Sequence, residues 1–264
     1  MQKFSAVIIC KNEEEHIGAC LRSLQGVTDD VVVLDNGSSD RTREIVAGSG
    51  ARLIVDRWQG YGKTKNQAAL QAKYDWIISL DADEQLDDEL KNYLKQASPQ
   101  NDNEVLVVRF KNFLGGKHLK WGEWGNDKHI RGFNRNSVKW DVEAVHEKLL
   151  LPASVNKKFA DGYVLHYTAK NIQEYSEKMR RYALLNAEKY AASGRRSSWV
   201  KILFSPVFSF LKYYFFKLGF LDSWQGLVCA TMTSYYTFLK YARLLELNKE
   251  KSKKSKVKSK KEPT

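Results

Sequence analysis

The 264-residue chain has only three cysteines, Cys10, Cys20 and Cys229, far apart and odd in number. They form no CxxC pair and no zinc spacing. A disulfide framework and a structural zinc module are therefore excluded, and reduced thiols in a cytosolic setting are expected. No GxGxxG follows the first predicted strand, so the phosphate loop of a dinucleotide fold is missing. Long hydrophobic runs are missing as well. The N-terminal "MQKFSAVIICKNEE" holds a run of seven residues before lysine and glutamates, too short for a signal-peptide core. In 199–221 the longest uncharged run is ten residues, and 223–239 is uncharged for 17 positions but rich in Ser, Thr and Gln. Neither matches the roughly 18–20 apolar residues of a spanning helix. There is no internal repeat.

Hydrophobic residues make up 43% of the chain and aromatics 12%, too many for a disordered protein. That is enough for one core of roughly 150–200 residues plus an appendage. The net charge of +12 is unevenly spread. Residues 1–177 hold 24 Lys+Arg and 26 Asp+Glu (−2), residues 178–247 hold 11 and 3 (+8), and residues 248–264 hold 8 and 2 (+6). An anionic partner is thus expected to meet the C-terminal third.

The β-branched runs at 4–10, 30–35, 52–55 and 75–80 predict buried strands, and the segments between them predict helices, including one over 62–74. This alternation implies an α/β fold with a parallel sheet and right-handed crossovers. Beyond residue 104 the strands lose their intervening helices. Residues 113–126, with glycines and tryptophans, predict a long loop covering a site, and 171–193 predicts a helix.

Ligands of parallel α/β sheets sit beyond the C-terminal strand ends. Three predicted strands end in polar groups there: Lys11-Asn12-Glu13, Asp35, and Asp81-Ala82-Asp83. Two carboxylates at i and i+2 on leaving a strand point the same way and suit Mg²⁺ or Mn²⁺. A lone DxD arises about once by chance in a chain with 15 Asp, so its position after the most apolar strand carries the signal.

"AVIICKNEEEHIGACLRSL", "VVVLDNGSSDRT", "GKTKNQAALQA" and "DWIISLDADE" resemble, in order, the nucleotide-sugar half of family-2 glycosyltransferases. "VEAVHEKL", "GYVLHYT" and "GFLDSWQGL" resemble a narrower subgroup, the lipopolysaccharide-core transferases of the β-1,4-glucosyltransferase type. The resemblance departs at Cys10-Lys11, where many relatives have Pro with a small residue. It implies a GT-A nucleotide-sugar fold with a mostly parallel central sheet, plus C-terminal aromatic-rich helices. It also implies an inverting hexosyltransferase that uses a nucleotide-sugar, with uracil as the base. Asp35 is then expected to accept the uracil N3–H, Lys65 to lie near the nucleotide, Asp81 to bind ribose hydroxyls, and Asp83 to hold the Mg²⁺ or Mn²⁺. The alternative for Asp35 is a cap of the turn that follows it, and for Lys65 a solvated helix position.

Inversion needs a general base close to the acceptor hydroxyl. Glu147 is the choice because it sits in the His146-Glu147 pair, with Glu143 and Asp141 in reserve. His146 is expected to contact substrate. His146 and His166 are each weighed for contact with metal or phosphate against an ordinary core or loop role. Trp121 and Trp124 fit either sugar stacking or packing.

Residues 199–241 hold 14 of the 32 aromatics, interrupted by lysines, which suits a membrane interface; two core helices are the alternative. The expected organisation is a GT-A domain over 1–193 (1–100 nucleotide-sugar half, 101–193 acceptor half), a basic aromatic helical region over 194–247, and a disordered Lys-rich tail over 248–264. The expected setting is the cytoplasmic face of the inner membrane, held peripherally on an anionic surface, with a lipid-linked saccharide as acceptor and no nucleic acid. Another glycan or protein acceptor is the second reading. A basic nucleic-acid-binding protein is the reading from another class, and it leaves four ordered motifs unused.

Overall fold

The computed structural model describes residues 3–142 and 148–259, with side chains described to residue 252. β1 (Ser5–Cys10) is buried at every position, which explains its unbroken apolar run. Its even residues Ala6, Ile8 and Cys10 cluster with Ile17, Cys20 and Leu21 of α1 (Ile17–Ser23). β2 (Val31–Asp35), α2 (Thr42–Gly48), β3 (Arg52–Val55) and α3 (Tyr61–Leu70) follow. The odd residues Val7 and Ile9 of β1 cluster with Ala68 and Ala69 of α3, so the period-two alternation feeds two cores on opposite faces. β4 (Trp76–Asp81), β5 (Glu84–Leu86) and α4 (Asp88–Gln96) come next, and Asp87 caps α4 through a bond from the Leu90 N–H.

The second half adds β6 (Glu104–Leu114), β7 (Lys117–Leu119), β8 (Lys128–Asn134), β9 (Lys139–Trp140), β10 (Leu149–Leu150) and β11 (Asn156–Ala169). The main sheet runs β3-β2-β1-β4-β8-β6-β11-β5, with β7 on β6 and a separate β9–β10 hairpin. β1, β2, β3 and β4 pair in parallel, whereas β8 runs antiparallel to both β4 and β6. β5 pairs antiparallel with β11, with Glu84 opposite His166. This is the α/β GT-A class that the motifs imply.

The chain divides into two compact units, 1–111 with 126–167 and 112–125 with 168–264. Of the expected loop over 113–126, residues 113–119 form the end of β6, a tight turn and β7, with Asn112 opposite Leu119, and turns follow over 120–126 as expected. The second unit also holds α5 (Ile172–Ala192), which the sequence reading groups with the first 193 residues. Then come α6 (Trp199–Leu211), a π-helical turn (Lys212–Phe216), a 3₁₀ turn (Gly219–Asp222) and α7 (Ser223–Ser259). α7 continues to Ser259, so residues 248–259, expected to be disordered, are helical. Ala187 and Ala191 of α5 cluster with Leu244 of α7, small side chains that allow close helix approach. "GFLDSWQGL" has a structural role here. The buried Asp222 accepts the N–H groups of Lys120 (3.0 Å) and Trp121 (2.7 Å), and a methyl on Gly226 would stand 1.9 Å from the Gly219 carbonyl oxygen.

Candidate active site

Parallel register brings the predicted carboxylates to one edge of the first unit. Asp35 pairs across from Cys10, and Asp81 lies across from Ile9 on the other side of β1. The two acids therefore flank the C-terminal end of the central strand, where α/β ligands bind.

Asp81 anchors a charged cluster. Lys65 of α3 is only 2% exposed, so it is not the solvated helix residue of the alternative. Its Nζ lies 2.9 Å from Asp81 Oδ1 and 4.6 Å from the Trp140 ring centroid, a cation–π contact that helps offset burial of the charge. Arg131 of β8 reaches Asp81 Oδ2 at 3.1 Å and also pairs with Glu84, while Glu84 Oε2 accepts the Asp81 N–H at 2.9 Å. Burial opposes ionisation of Asp81, but Lys65 and Arg131 outweigh it and hold the carboxyl well below the usual range. Glu84 is pushed up to about 7, chiefly by burial and helped by Asp81 and Asp83, with Arg131 and His166 opposing.

Asp83 approaches a histidine from the far side of the sheet. Asp83 stands in the turn between β4 and β5, and its Oδ2 lies 3.3 Å from His166 Nε2. Pairing of β5 with β11 makes this approach, and the Tyr167 N–H donates to the Asp83 carbonyl at 3.1 Å. Among the described residues no three His, Cys, Asp or Glu side chains gather into a metal cage. Two do suffice for a Mg²⁺ or Mn²⁺ that takes its other ligands from phosphate and water. The 3.3 Å gap is near the ~3 Å between adjacent ligands of an octahedral ion with ~2.1 Å bonds, and both side chains keep partial solvent access. The residues fit such an ion.

Asp35 is fully buried and shapes its own turn. Its Oδ1 accepts the N–H groups of Gly37 (3.1 Å) and Ser38 (3.0 Å) and Arg43 Nε (2.6 Å), and its Oδ2 accepts the Ser38 hydroxyl. Burial opposes its ionisation, and the Ser38 and Arg43 bonds outweigh it, so its pKa falls below the usual value. The capping role is thus realised.

The same helix that carries Lys65 also grips the β9–β10 hairpin. Asn66 donates to the Trp140 carbonyl (2.8 Å) and accepts the Trp140 N–H (2.9 Å), as a backbone strand partner would. Gly62 is pressed against Asp141, where a methyl would stand 2.2 Å from its carbonyl oxygen. Asp141 closes the hairpin by donating its N–H to the Lys148 carbonyl at 2.8 Å. Glu143, His146 and Glu147 lie outside the described residues. Trp124 packs edge-on against Tyr175 at 5.2 Å in the second unit, while Trp121 is partly exposed.

Sequence reasoning missed Arg131 and Glu84 as members of the cluster. Both signals were present: an arginine inside the apolar "HIRGF" strand, and a third acid directly after the DxD.

Fold and site together define a GT-A type α/β enzyme with an acid- and base-lined ligand edge. The glycosyl transferase family 2 profile matches residues 5–156, and the chain belongs to that family. Over 252 residues it is 29% identical to the lipopolysaccharide core biosynthesis glycosyltransferase LpsC of Rhizobium meliloti, covering 90% of this chain and 93% of that one. It is 28% identical over 259 residues to an uncharacterized glycosyltransferase of Rickettsia typhi, covering 94% of this chain and 88% of that one. Among solved structures, it is similar to glucosyl-3-phosphoglycerate synthase of Mycobacterium tuberculosis in complex with Mn²⁺, UDP and glucosyl-3-phosphoglycerate. That likeness has 23% identity and a TM-score of 0.34, covering 43% of this chain and 44% of that one.

Proposed function

We propose that this glycosyltransferase moves a sugar, with inversion, from a uridine nucleotide-sugar to a lipid-linked saccharide of the lipopolysaccharide core. The carrying observation is the approach of Asp83 to His166 beside the Lys65–Asp81–Arg131 cluster at the ligand edge of the sheet. Asp83 and His166 would hold the Mg²⁺ or Mn²⁺, which when bound supplies Lewis-acid neutralisation of the departing diphosphate. Asp81, held ionised by its two cations, offers the outward part of its carboxylate to ribose hydroxyls; its side chain is 38% exposed. Lys65 acts through Asp81 as a positioning residue. Asp35 fixes the turn against which the uracil would lie, and accepting its N3–H would require the Cys10 thiol, 3.8 Å from Oδ2, to give up its place. Glu147 remains the proposed base, with His146 beside the acceptor, and the work takes place peripherally on the cytoplasmic face of the inner membrane. The acceptor rests on the full-length similarity to LpsC.

The test is transfer from UDP-sugars to lipid A–core acceptors, with and without chelator, and with the product anomer read by NMR. Glu147→Gln should keep UDP stabilisation and lose turnover by about 10²–10⁴-fold. Near-normal turnover in that variant removes Glu147 from the role, and a retained anomer removes the single displacement.

A further inference from the structure

We propose that the outward face of α6 is a docking surface for an anionic lipid bilayer, with the helix lying in the plane of the interface. This goes beyond the donor and acceptor assignments and does not rest on them. An amphipathic helix ordinarily turns its apolar stripe inward. In α6 the positions buried are Ile202, Pro206 and Ser209, on the side where Ser234 of α7 donates to the Pro206 carbonyl at 2.8 Å. The larger apolar stripe, Trp199, Leu203, Phe204, Val207, Phe208 and Leu211, is exposed, with Phe204 at 66% and Phe208 at 65%. The spacing of these residues puts them on one helical face. At on the order of 100 Å² each they make about 600 Å², at or above the largest patch of a typical monomer. The turns that follow expose still more, with Phe216 at 78%.

Charge selects the occupant. Between residues 189 and 245 the only acid is Asp222, and it is buried against the Lys120 and Trp121 N–H groups. Arg195, Arg196, Lys201 and Lys217 are exposed around the stripe and its following turn. A second copy of the chain would bring these cations together, whereas anionic headgroups complement them, and lysine stems can lie along the apolar surface beneath. Among the described residues no helix is long and apolar enough to cross a membrane, so the face would rest on the bilayer rather than span it.

The test is co-sedimentation of the full chain with phosphatidylcholine vesicles, with and without phosphatidylglycerol, at low and high salt and without any sugar nucleotide. Binding should need phosphatidylglycerol at low dose, fall with salt as exposed charges are screened, and leave a salt-resistant remainder. Phe204→Ser and Phe208→Ser should each lower the partition coefficient about tenfold, since each removes an inserted aromatic. Circular dichroism and ligand-free thermal unfolding matching the wild type would show that these variants are folded, and Trp199→Ser provides a second, independent reading. Deleting 253–264 should reduce binding at low salt only. Wild-type protein left in the supernatant under every condition overturns the proposal. So does unchanged vesicle binding when Phe204→Ser and Phe208→Ser are combined in one chain. A vesicle-independent dimer that the same substitutions dissociate, with no vesicle binding, would assign the face to a second copy instead.

Discussion

Replacing Lys65 with methionine tests whether the acidic cluster is organised as described. Methionine keeps most of the stem and removes the ammonium that lies 2.9 Å from Asp81 and 4.6 Å from the Trp140 ring. Breaking a buried pair by deleting one partner costs about 3–5 kcal/mol. Here the cost is smaller, because Asp81 retains Arg131 and its side chain is 38% exposed to screening solvent. About 2 kcal/mol of unfolding free energy should be lost in Lys65→Met. Urea unfolding of Lys65→Met, Asp81→Asn and the double variant closes a cycle, with an expected coupling of about 1–2 kcal/mol. A coupling within about 0.5 kcal/mol of zero would mean that the two groups do not stabilise each other, and the site's charge logic would fail.

Asn66→Ala strips both bonds from the Trp140 backbone and should cost about 1–3 kcal/mol, with Asn66→Asp, which keeps only the acceptor, falling between; urea midpoints unchanged in both would contradict the clamp. Gly62→Ala drives a methyl into the Asp141 carbonyl and should lower turnover more than UDP affinity; unchanged kinetics would show that the hairpin can give way. For pH, burial opposes ionisation of Asp30, but bonds from Ser5, the Lys73 N–H and Arg52 outweigh it and hold its folded pKa below the ordinary 3.8. The stabilisation is thus complete above that value and lost as pH falls through the lower folded pKa. Asp30→Asn should be less stable at neutral pH and lose less on acidification, as measured by denaturant unfolding at pH 7 and pH 3; parallel losses in both proteins would refute the assignment.

The first four strands and α3 were legible because each is a local pattern. "AVIIC" and "VVVL" are buried on both faces and so read as continuous apolar runs. Asp35 and Asp81 could be placed at one edge from topology alone, since parallel strands align their C-terminal ends. The Asp83–His166 approach had no local signal: it depends on a three-residue strand pairing with β11 some eighty positions later. Arg131 did carry a local signal, an arginine inside an apolar strand, but its partners Asp81 and Glu84 lie far away in sequence and could not be read from it. Within 113–126 the turns after residue 119 follow the glycine and tryptophan signal, whereas the β6–β7 hairpin was missed because its three-residue strand finds its partner in β6 next door. The exposed stripe of α6 was legible only as composition; which face packs on α7 is a tertiary fact.

The most direct measurement is calorimetric titration of UDP into the wild type, Asp83→Ala and His166→Ala, each with Mn²⁺ and with chelator. Metal should tighten UDP binding to the wild type by at least tenfold, and both variants should lose that gain while keeping wild-type thermal stability without ligand. Equal metal-dependent tightening in all three proteins would contradict the account, because the two side chains that the strand pairing brings together would then hold no part of the donor site.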